Sequence, residues 1–267
     1  MELESFLQTV RAQRPLVHHI TNWVTIYDCA QIVKSLGASP VMAHAGEEAD
    51  TMTSLAHALV LNIGTLTTDL IASMKRSLDA AKHKGIPVIL DVCGAGATGF
   101  RDQMSAELLD TGGVSIIKGN ASEIARVAGL AVETKGVDAG QVAEDLRGVA
   151  RTLATQRNAV VVVTGERDIV ASADTVYLVA NGHPVMTKVV GTGCMAASVI
   201  GAFVGATPGT PALAASAGLA AYEIAAELAV RQAPTPMAFK NALFDCLATL
   251  SLVDLRTRHK VTVANSR

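Results

Sequence analysis

Residues 189–222 run for 34 positions without a single Asp, Glu, Lys or Arg. Such a stretch has two stable homes, a lipid bilayer or the interior of a protein. A bilayer-spanning helix needs about 20 consecutive apolar residues. The run does not supply them in one piece, because Gly191, Thr192 and Gly193 open it and Thr207-Pro208-Gly209-Thr210-Pro211 breaks its middle. Each half keeps only about 11 to 13 clean helical residues, too few for a membrane span. The expectation is a pair of buried core helices and no membrane partner.

Apolar residues make up 50% of the 267-residue chain and charged ones 17%, but aromatics only 3%. The core must therefore be built mainly from Ala, Val, Leu and Ile, and the balance excludes a disordered chain. A formal charge of −2 and a pI of about 6.4 leave no basic footprint for a nucleic acid or an anionic membrane. The acidic start, Met1-Glu2-Leu3-Glu4, lacks the pattern of a signal peptide. Cys29, Cys93, Cys194 and Cys246 are widely spaced, with no Cys-x-x-Cys pair. Reduced thiols in a cytoplasmic protein are expected.

Near-continuous apolar runs at 16–21, 40–43, 58–63, 87–92, 114–118 and 159–164 read as parallel strands covered on both faces. Helical patterns fill the gaps at 24–36, 68–84, 101–109, 121–128 and 138–156, after an N-terminal helix within residues 1–14. Beyond them, 168–172 and 175–180 read as a hairpin, followed by apolar helices over 192–204, 211–231 and 236–255 and a polar, frayed tail over 256–267. The reading is one α/β domain across residues 1–267, a mostly parallel sheet between two helical layers.

In open α/β sheets, ligands bind outside the carboxyl ends of the strands, and several expected strand ends carry unusual residues. Asp91 leads into Gly94-Ala95-Gly96-Ala97-Thr98, which suits a metal beside a phosphate-binding turn or a tight turn capped by Asp91. Lys118, at the end of its strand, is a costly cation unless an anion answers it. Asn120 and Glu123 follow, three apart, as site residues or as a capping box. Thr164-Gly165 is a short phosphate contact or a hairpin turn. Asn22 reads as a helix cap or a substrate contact, and the exit Asn62-Ile63-Gly64-Thr65 is equally open. His18, His19 and His44 lack the spacing of helical metal ligands.

The strongest local signal is Gly191-Thr192-Gly193-Cys194-Met195, which opens an apolar helix. Freed backbone at a helix N-terminus makes an anion site, and the same position lowers a cysteine pKa. Two chemistries fit: a cradle for a transferring phosphoryl group, or a Cys194 nucleophile in a hydrolase with His183 or His19 as its base.

Taken in order, His19-Ile20-Thr21-Asn22, LGASPVMAHA (36–45), ALVLNIGT (58–65), GAGAT (94–98), GNASEI (119–124), NGHP (181–184) and TKVVGTGCM (187–195) resemble the hydroxyethylthiazole kinase family of the ribokinase-like superfamily. The resemblance runs from about Pro15 to Leu250. It implies a three-layer α/β/α sandwich and phosphorylation of the alcohol of 4-methyl-5-(2-hydroxyethyl)thiazole, in thiamine biosynthesis. ATP and Mg²⁺ would be required, in a homotrimer with sites at subunit boundaries. By position, Met42, Gly191, Asn22 and Gly64 would meet the thiazole, and Lys118, Thr164 and Asn120 the ATP. Asp91 and Glu123 would hold magnesium, and Gly193 and Cys194 would serve the transferred phosphoryl group. Another ribokinase-like kinase, such as hydroxymethylpyrimidine kinase, is the neighbouring alternative.

The chain departs from the family pattern in three places. Val92-Cys93 follows Asp91 where Pro is usual, Lys118 replaces an Arg, and residues 23–29 are divergent. Lys at 118 turns a bidentate phosphate grip into a point charge.

Overall fold

In the computed structural model, which describes residues 2–130 and 139–264, the apolar runs become one nine-stranded sheet. Its strands are β1 (Leu16–Ile20), β2 (Ser39–Val41), β3 (Ala58–Asn62), β4 (Val88–Asp91), β5 (Ile116–Asn120), β6 (Val160–Thr164), β7 (Asp168–Ala171), β8 (Val176–Val179) and β9 (Val261–Val263). They lie side by side as β2-β1-β3-β4-β5-β6-β7-β8-β9. Pairing is parallel from β2 through β6 and antiparallel from β6 to β9.

Successive residues of a strand point to opposite faces, and here both faces are apolar. In β3, Ala58 and Val60 join one core cluster, and Leu59 and Leu61 the other. The first cluster packs against α1 (Leu3–Gln13), α2 (Ile26–Leu36), α8 (Thr192–Ala206), α9 (Pro211–Gln232), α10 (Pro236–Thr249) and α11 (Leu252–Arg258). The second packs against α4 (Thr68–Lys84), α5 (Gly99–Asp110), α6 (Ala121–Val127) and α7 (Ala139–Arg157), with the short α3 (Ala49–Leu55) beside α4. This is the expected α/β/α layering.

The uncharged run becomes α8 and the first half of α9. Helix α9 does not end with the run: it continues through Glu223 to Gln232 and reaches 22 residues. It is thus long and apolar enough to cross a membrane, yet 78% of its most apolar window is buried inside the protein. Helix α8 crosses the sheet at close range beside its buried Ala196, Ala197 and Ser198. At Gly201, a Cβ would sit 2.6 Å from Val60 Cγ2.

Several expectations need correction. Strand β5 lies two residues later than 114–118, so Lys118 is its middle residue and Asn120 its last. The helix expected over 236–255 is two helices, because Ser251 and Asp254 form a capping box that starts α11. The tail from 256 is ordered as far as Ala264: it finishes α11 and pairs as β9 with β8, with Val261 in the core. Residues 265–267, and Asp138 at the expected start of α7, lie outside the described residues. Helix α3 has too few turns for its periodicity to be read.

Candidate active site

Parallel pairing puts the polar ends of neighbouring strands in one row. Asn62 of β3 is in register with Asp91 of β4, and Asp91 with Lys118 of β5. All three are buried. Asn62 Nδ2 donates to Asp91 Oδ2 at 2.7 Å, and Lys118 Nζ lies 3.4 Å from both Asp91 oxygens. Burial pushes the Asp91 carboxyl up to about 7, against the pull of Lys118. Burial also works against the Lys118 charge, but Asp91 and the groups around it outweigh burial, and the ammonium ends above its usual range.

The first turn of α8 closes over this row. Gly191, at φ +92°, precedes the helix, and a Cβ there would sit 2.6 Å from Thr25 Cγ2. The helix start has no side-chain cap and no acidic residue. The first intrahelical bond runs from the Met195 N–H to Gly191 O at 2.8 Å; the amides of Thr192, Gly193 and Cys194 precede it, where intrahelical partners do not exist. A Cβ on Gly193 would lie 3.1 Å from Lys118 Nζ. Free N–H groups, a helix dipole and a buried ammonium thus converge on one point, an arrangement that attracts an anion.

Cys194 is the third residue of that turn. Its Sγ accepts from Asn22 Nδ2 at 3.4 Å and from Asn62 Nδ2 at 3.3 Å. Asn22 and Asn62 are themselves joined at 3.0 Å, and Asn62 Oδ1 also accepts the Gly64 N–H at 2.9 Å. The Cys194 thiol is held down to about 5, first by a hydrogen bond from Cys93 and then, against burial, by Thr25, Lys118 and Asn22. The Cys93 thiol is pushed up correspondingly.

Beside the helix start opens a cleft of about 620 Å³ lined by Thr164, Gly165, Asp168, Thr192, Gly193 and Glu223 among others. Thr164 ends β6 next to Asn120 and donates its hydroxyl to Gly119 O at 3.3 Å. It also begins the antiparallel turn into β7, as the hairpin reading of Thr164-Gly165 expected. On the cleft wall Asp168 and Glu223 face each other, and burial raises both carboxyls.

The fold thus brings Asn22, Gly64, Asp91, Lys118, Gly191, Gly193 and Cys194 into one cluster. Glu123 joins through the Gly-rich turn: its Oε1 accepts the Gly94 N–H at 2.8 Å and its Oε2 the Asn120 N–H at 2.7 Å. The capping box at Asn120 and Glu123 is present, so the Asn120 side chain is committed to the start of α6. Met42 follows β2 directly; its carbonyl accepts from His44 Nδ1 at 3.0 Å, and the His44 and Trp23 ring centroids lie 4.7 Å apart.

Sequence reasoning left the hub, Asn62, open, because an Asn after an apolar strand also reads as a turn residue. Arg101 was missed: its guanidinium ties Ile63 O, Gly64 O and Cys93 O together at 2.8 to 3.0 Å. The hydrolase reading loses its base. His19 is fully buried with its Nδ1 on Val17 O, His183 Nδ1 accepts from Val185 N, and among the described residues no histidine hydrogen-bonds to Cys194 Sγ.

The family model for hydroxyethylthiazole kinases matches residues 7–252. The chain belongs to this family. The hydroxyethylthiazole kinase of Methanosarcina mazei is 49% identical over 96% of this chain and 97% of its own length. That of Chloroflexus aggregans is 44% identical over 96% and 95%. A solved structure of the hydroxyethylthiazole kinase protein from Pyrococcus horikoshii superposes with a TM-score of 0.91 at 39% identity, covering 98% of this chain and 99% of that one. A ribokinase-like superfamily protein from Enterococcus faecalis shares the fold alone, at TM-score 0.62 and 14% identity over 87% and 86% of the two chains. Around the site, Lys118 is paired with Asp91, and Trp23, Val24 and Tyr27 are exposed.

Proposed function

We propose that the protein transfers the γ-phosphoryl group of ATP to the hydroxyl of 4-methyl-5-(2-hydroxyethyl)thiazole, a step of thiamine biosynthesis and salvage. The observation that carries this reading is the convergence of the α8 N–H groups, Lys118 Nζ and Cys194 Sγ on one point at the edge of the cleft.

In this reading ATP occupies the cleft past Thr164, with Asn120 at its edge, and extends its terminal phosphate toward Lys118 and Gly193. The thiazole lies on the other side of Cys194, against Asn22, Gly64, Met42 and Gly191. Phosphoryl transfer has a loose transition state in which charge neutralisation and alignment dominate. Lys118 and the amides of Gly193 and Cys194 neutralise the transferring group. Cys194 orients the acceptor hydroxyl and takes up its proton as the new P–O bond forms. A thiolate held down to about 5 is a weak base, sufficient only because that transition state needs little deprotonation of the acceptor.

Asp91 and Glu123 fit magnesium. Both offer carboxylate oxygens at the phosphate end of the row, and their charges are close enough for Glu123 to raise Asp91. Magnesium keeps several waters and takes only one or two carboxylates beside phosphate oxygens, so two such residues are enough. Bound there, Mg²⁺ would offset phosphate charge.

The exposed apolar side chains of Trp23, Val24 and Tyr27, with Val190 next to Gly191, support a homotrimer whose subunit boundary runs past the thiazole side of the site. Four free cysteines suit the cytoplasm. A coupled ADP-release assay over a panel of alcohols, including the thiazole and hydroxymethylpyrimidine, tests the assignment. ADP release and a phosphorylated product are expected with the thiazole; release only with another alcohol would reassign the substrate.

A further inference from the structure

We propose that, in the kinase reading above, Arg101 is a positioning residue: its guanidinium fastens the chain leaving β3, which meets the acceptor alcohol, to the chain leaving β4, which follows Asp91.

Strands β3 and β4 pair in register as far as Asn62 and Asp91, and one further backbone bond joins them, from Ile63 N–H to Asp91 O at 3.3 Å. Beyond it the chain continues to Gly64 and Thr65 on one side, and through Cys93 into the Gly-rich turn on the other. Three carbonyls of these two exits meet at one side chain. Arg101 Nη1 donates to Ile63 O at 2.8 Å and to Cys93 O at 3.0 Å, and its Nη2 donates to Gly64 O at 2.8 Å. Only a planar fork with several fixed donors can hold three carbonyls in this way; an ammonium is a point charge on a flexible stem.

The guanidinium is itself fixed. Arg101 is the third residue of α5; its N–H donates to Thr98 Oγ1, the cap of that helix, at 3.3 Å, and its carbonyl accepts from Ser105 Oγ at 2.8 Å. Gly94, at φ +80°, leaves room beside it, because a Cβ there would sit 2.9 Å from Arg101 Nη1. The two exits it joins are the ones the reaction uses. On the β3 side, a Cβ on Gly64 would lie 3.1 Å from Asn22 Cβ, and Thr65 Oγ1 accepts the Trp23 N–H at 3.0 Å. On the β4 side, Glu123 Oε1 accepts the Gly94 N–H at 2.8 Å. Asn62 already links Asp91 to Gly64 through its side chain, at 2.7 and 2.9 Å. Arg101 joins the same two exits through their backbone, so any slip of the acceptor-side loop against Asp91 must break a guanidinium bond. A misplacement of about 1 Å in such an alignment can cost about 100-fold in rate.

The test compares Arg101→Met and Arg101→Lys with the control Arg11→Met. Arg11 also binds carbonyls, donating to Leu250 O at 2.7 Å and to Leu247 O at 3.1 Å, but at the end of α10. Initial rates are measured with whichever alcohol releases ADP, and hydrogen exchange on the substrate-free protein. In Arg101→Met, kcat should fall by about 10- to 100-fold and KM for the alcohol should rise, with KM for ATP little changed. Amides at 63–65 and 93–96 should exchange faster than in the parent. Arg101→Lys should recover little of either loss. Arg11→Met should lower the urea midpoint and leave kcat, both KM values and exchange at the two exits as in the parent. Should Arg101→Met not fold, Arg101→Gln, which keeps one donor, takes its place. Three results would each overturn the proposal: parental kcat and alcohol KM in Arg101→Met, full recovery in Arg101→Lys, or unchanged exchange at both exits. Absence of ADP release with every alcohol would instead remove the kinase reading, and the exchange measurement stands apart from it.

Discussion

Lys118 Nζ lies 3.4 Å from both carboxylate oxygens of Asp91, and burial shields the pair from water on every side. Removing one partner of such a pair leaves a bare buried charge, at a cost of about 3–5 kcal/mol. Lys118→Met should therefore lower the urea midpoint substantially, and Lys118→Met combined with Asp91→Asn should recover part of that loss. Simple additivity of the two single changes would argue against the coupling. Phosphoryl transfer should fall by about 100-fold or more in Lys118→Met, and by less in Lys118→Arg, which keeps the charge.

Cys194→Ala removes the sulfur but keeps the backbone N–H at the helix start. If the thiolate orients the hydroxyl and accepts its proton late, kcat should drop by about 10- to 100-fold, with KM for ATP little changed. Complete loss of turnover with intact ATP binding would make the thiolate an obligatory base.

Asn62 serves Asp91, Cys194, Asn22 and Gly64 at once. In Asn62→Asp the two donated N–H bonds disappear and a negative charge arrives beside Asp91. A fall in kcat larger than that of Asn62→Ala is expected, with a higher KM for the alcohol in both. If Asn62→Asp turns over like the parent, the amide network is only structural.

Glu123 spends both oxygens on backbone N–H groups, and one of these positions the Gly-rich turn. Glu123→Gln replaces an acceptor with a donor that faces an N–H, costing about 1–3 kcal/mol. The Mg²⁺ concentration for half-maximal rate should also rise several-fold, which a magnesium titration of initial rates would read. A rise in denaturation sensitivity with no change in magnesium demand would confine Glu123 to capping.

His19 supplies a pH dependence of stability. Burial holds its imidazole down to about 3, against about 6.5 in an unfolded chain. Below pH 6.5 the unfolded state binds a proton that the fold refuses, so stability is full above that pH and declines as the pH falls toward 3. The loss from this one group approaches at most about 4–5 kcal/mol. Urea midpoints measured between pH 4 and 7 should fall less steeply for His19→Asn than for the parent. Equal slopes would place the acid sensitivity elsewhere.

The parallel half of the sheet was legible because its strands are buried on both faces and so read as unbroken apolar runs, as in ALVLN of β3. Helix α4 was readable to the residue because Thr67 caps one end and Gly85 terminates the other. Other elements draw their stability from contacts that no local pattern carries. Strand β9 is three residues of a polar tail until it pairs with β8. The division between α10 and α11 was available in the Ser251 and Asp254 capping box but was masked by continuous helical periodicity. At the site, residues followed by glycine turns stood out, because strained backbone leaves a mark in sequence. Asn62 and Arg101 did not, since each acts through partners that meet only in the fold.

Polar residues at the ends of successive parallel strands let neighbouring strands hold different halves of the chemistry. In the proposed function, Lys118 and Thr164, on β5 and β6, serve the nucleotide half, and Asn22 and Gly64, after β1 and β3, the acceptor half. Asn62 and Asp91 join the two. In that reading the acceptor half can drift through the loops after β1 and β2 while the phosphate machinery stays fixed. For engineering, that makes the choice of alcohol a separable module, adjustable without rebuilding the catalyst.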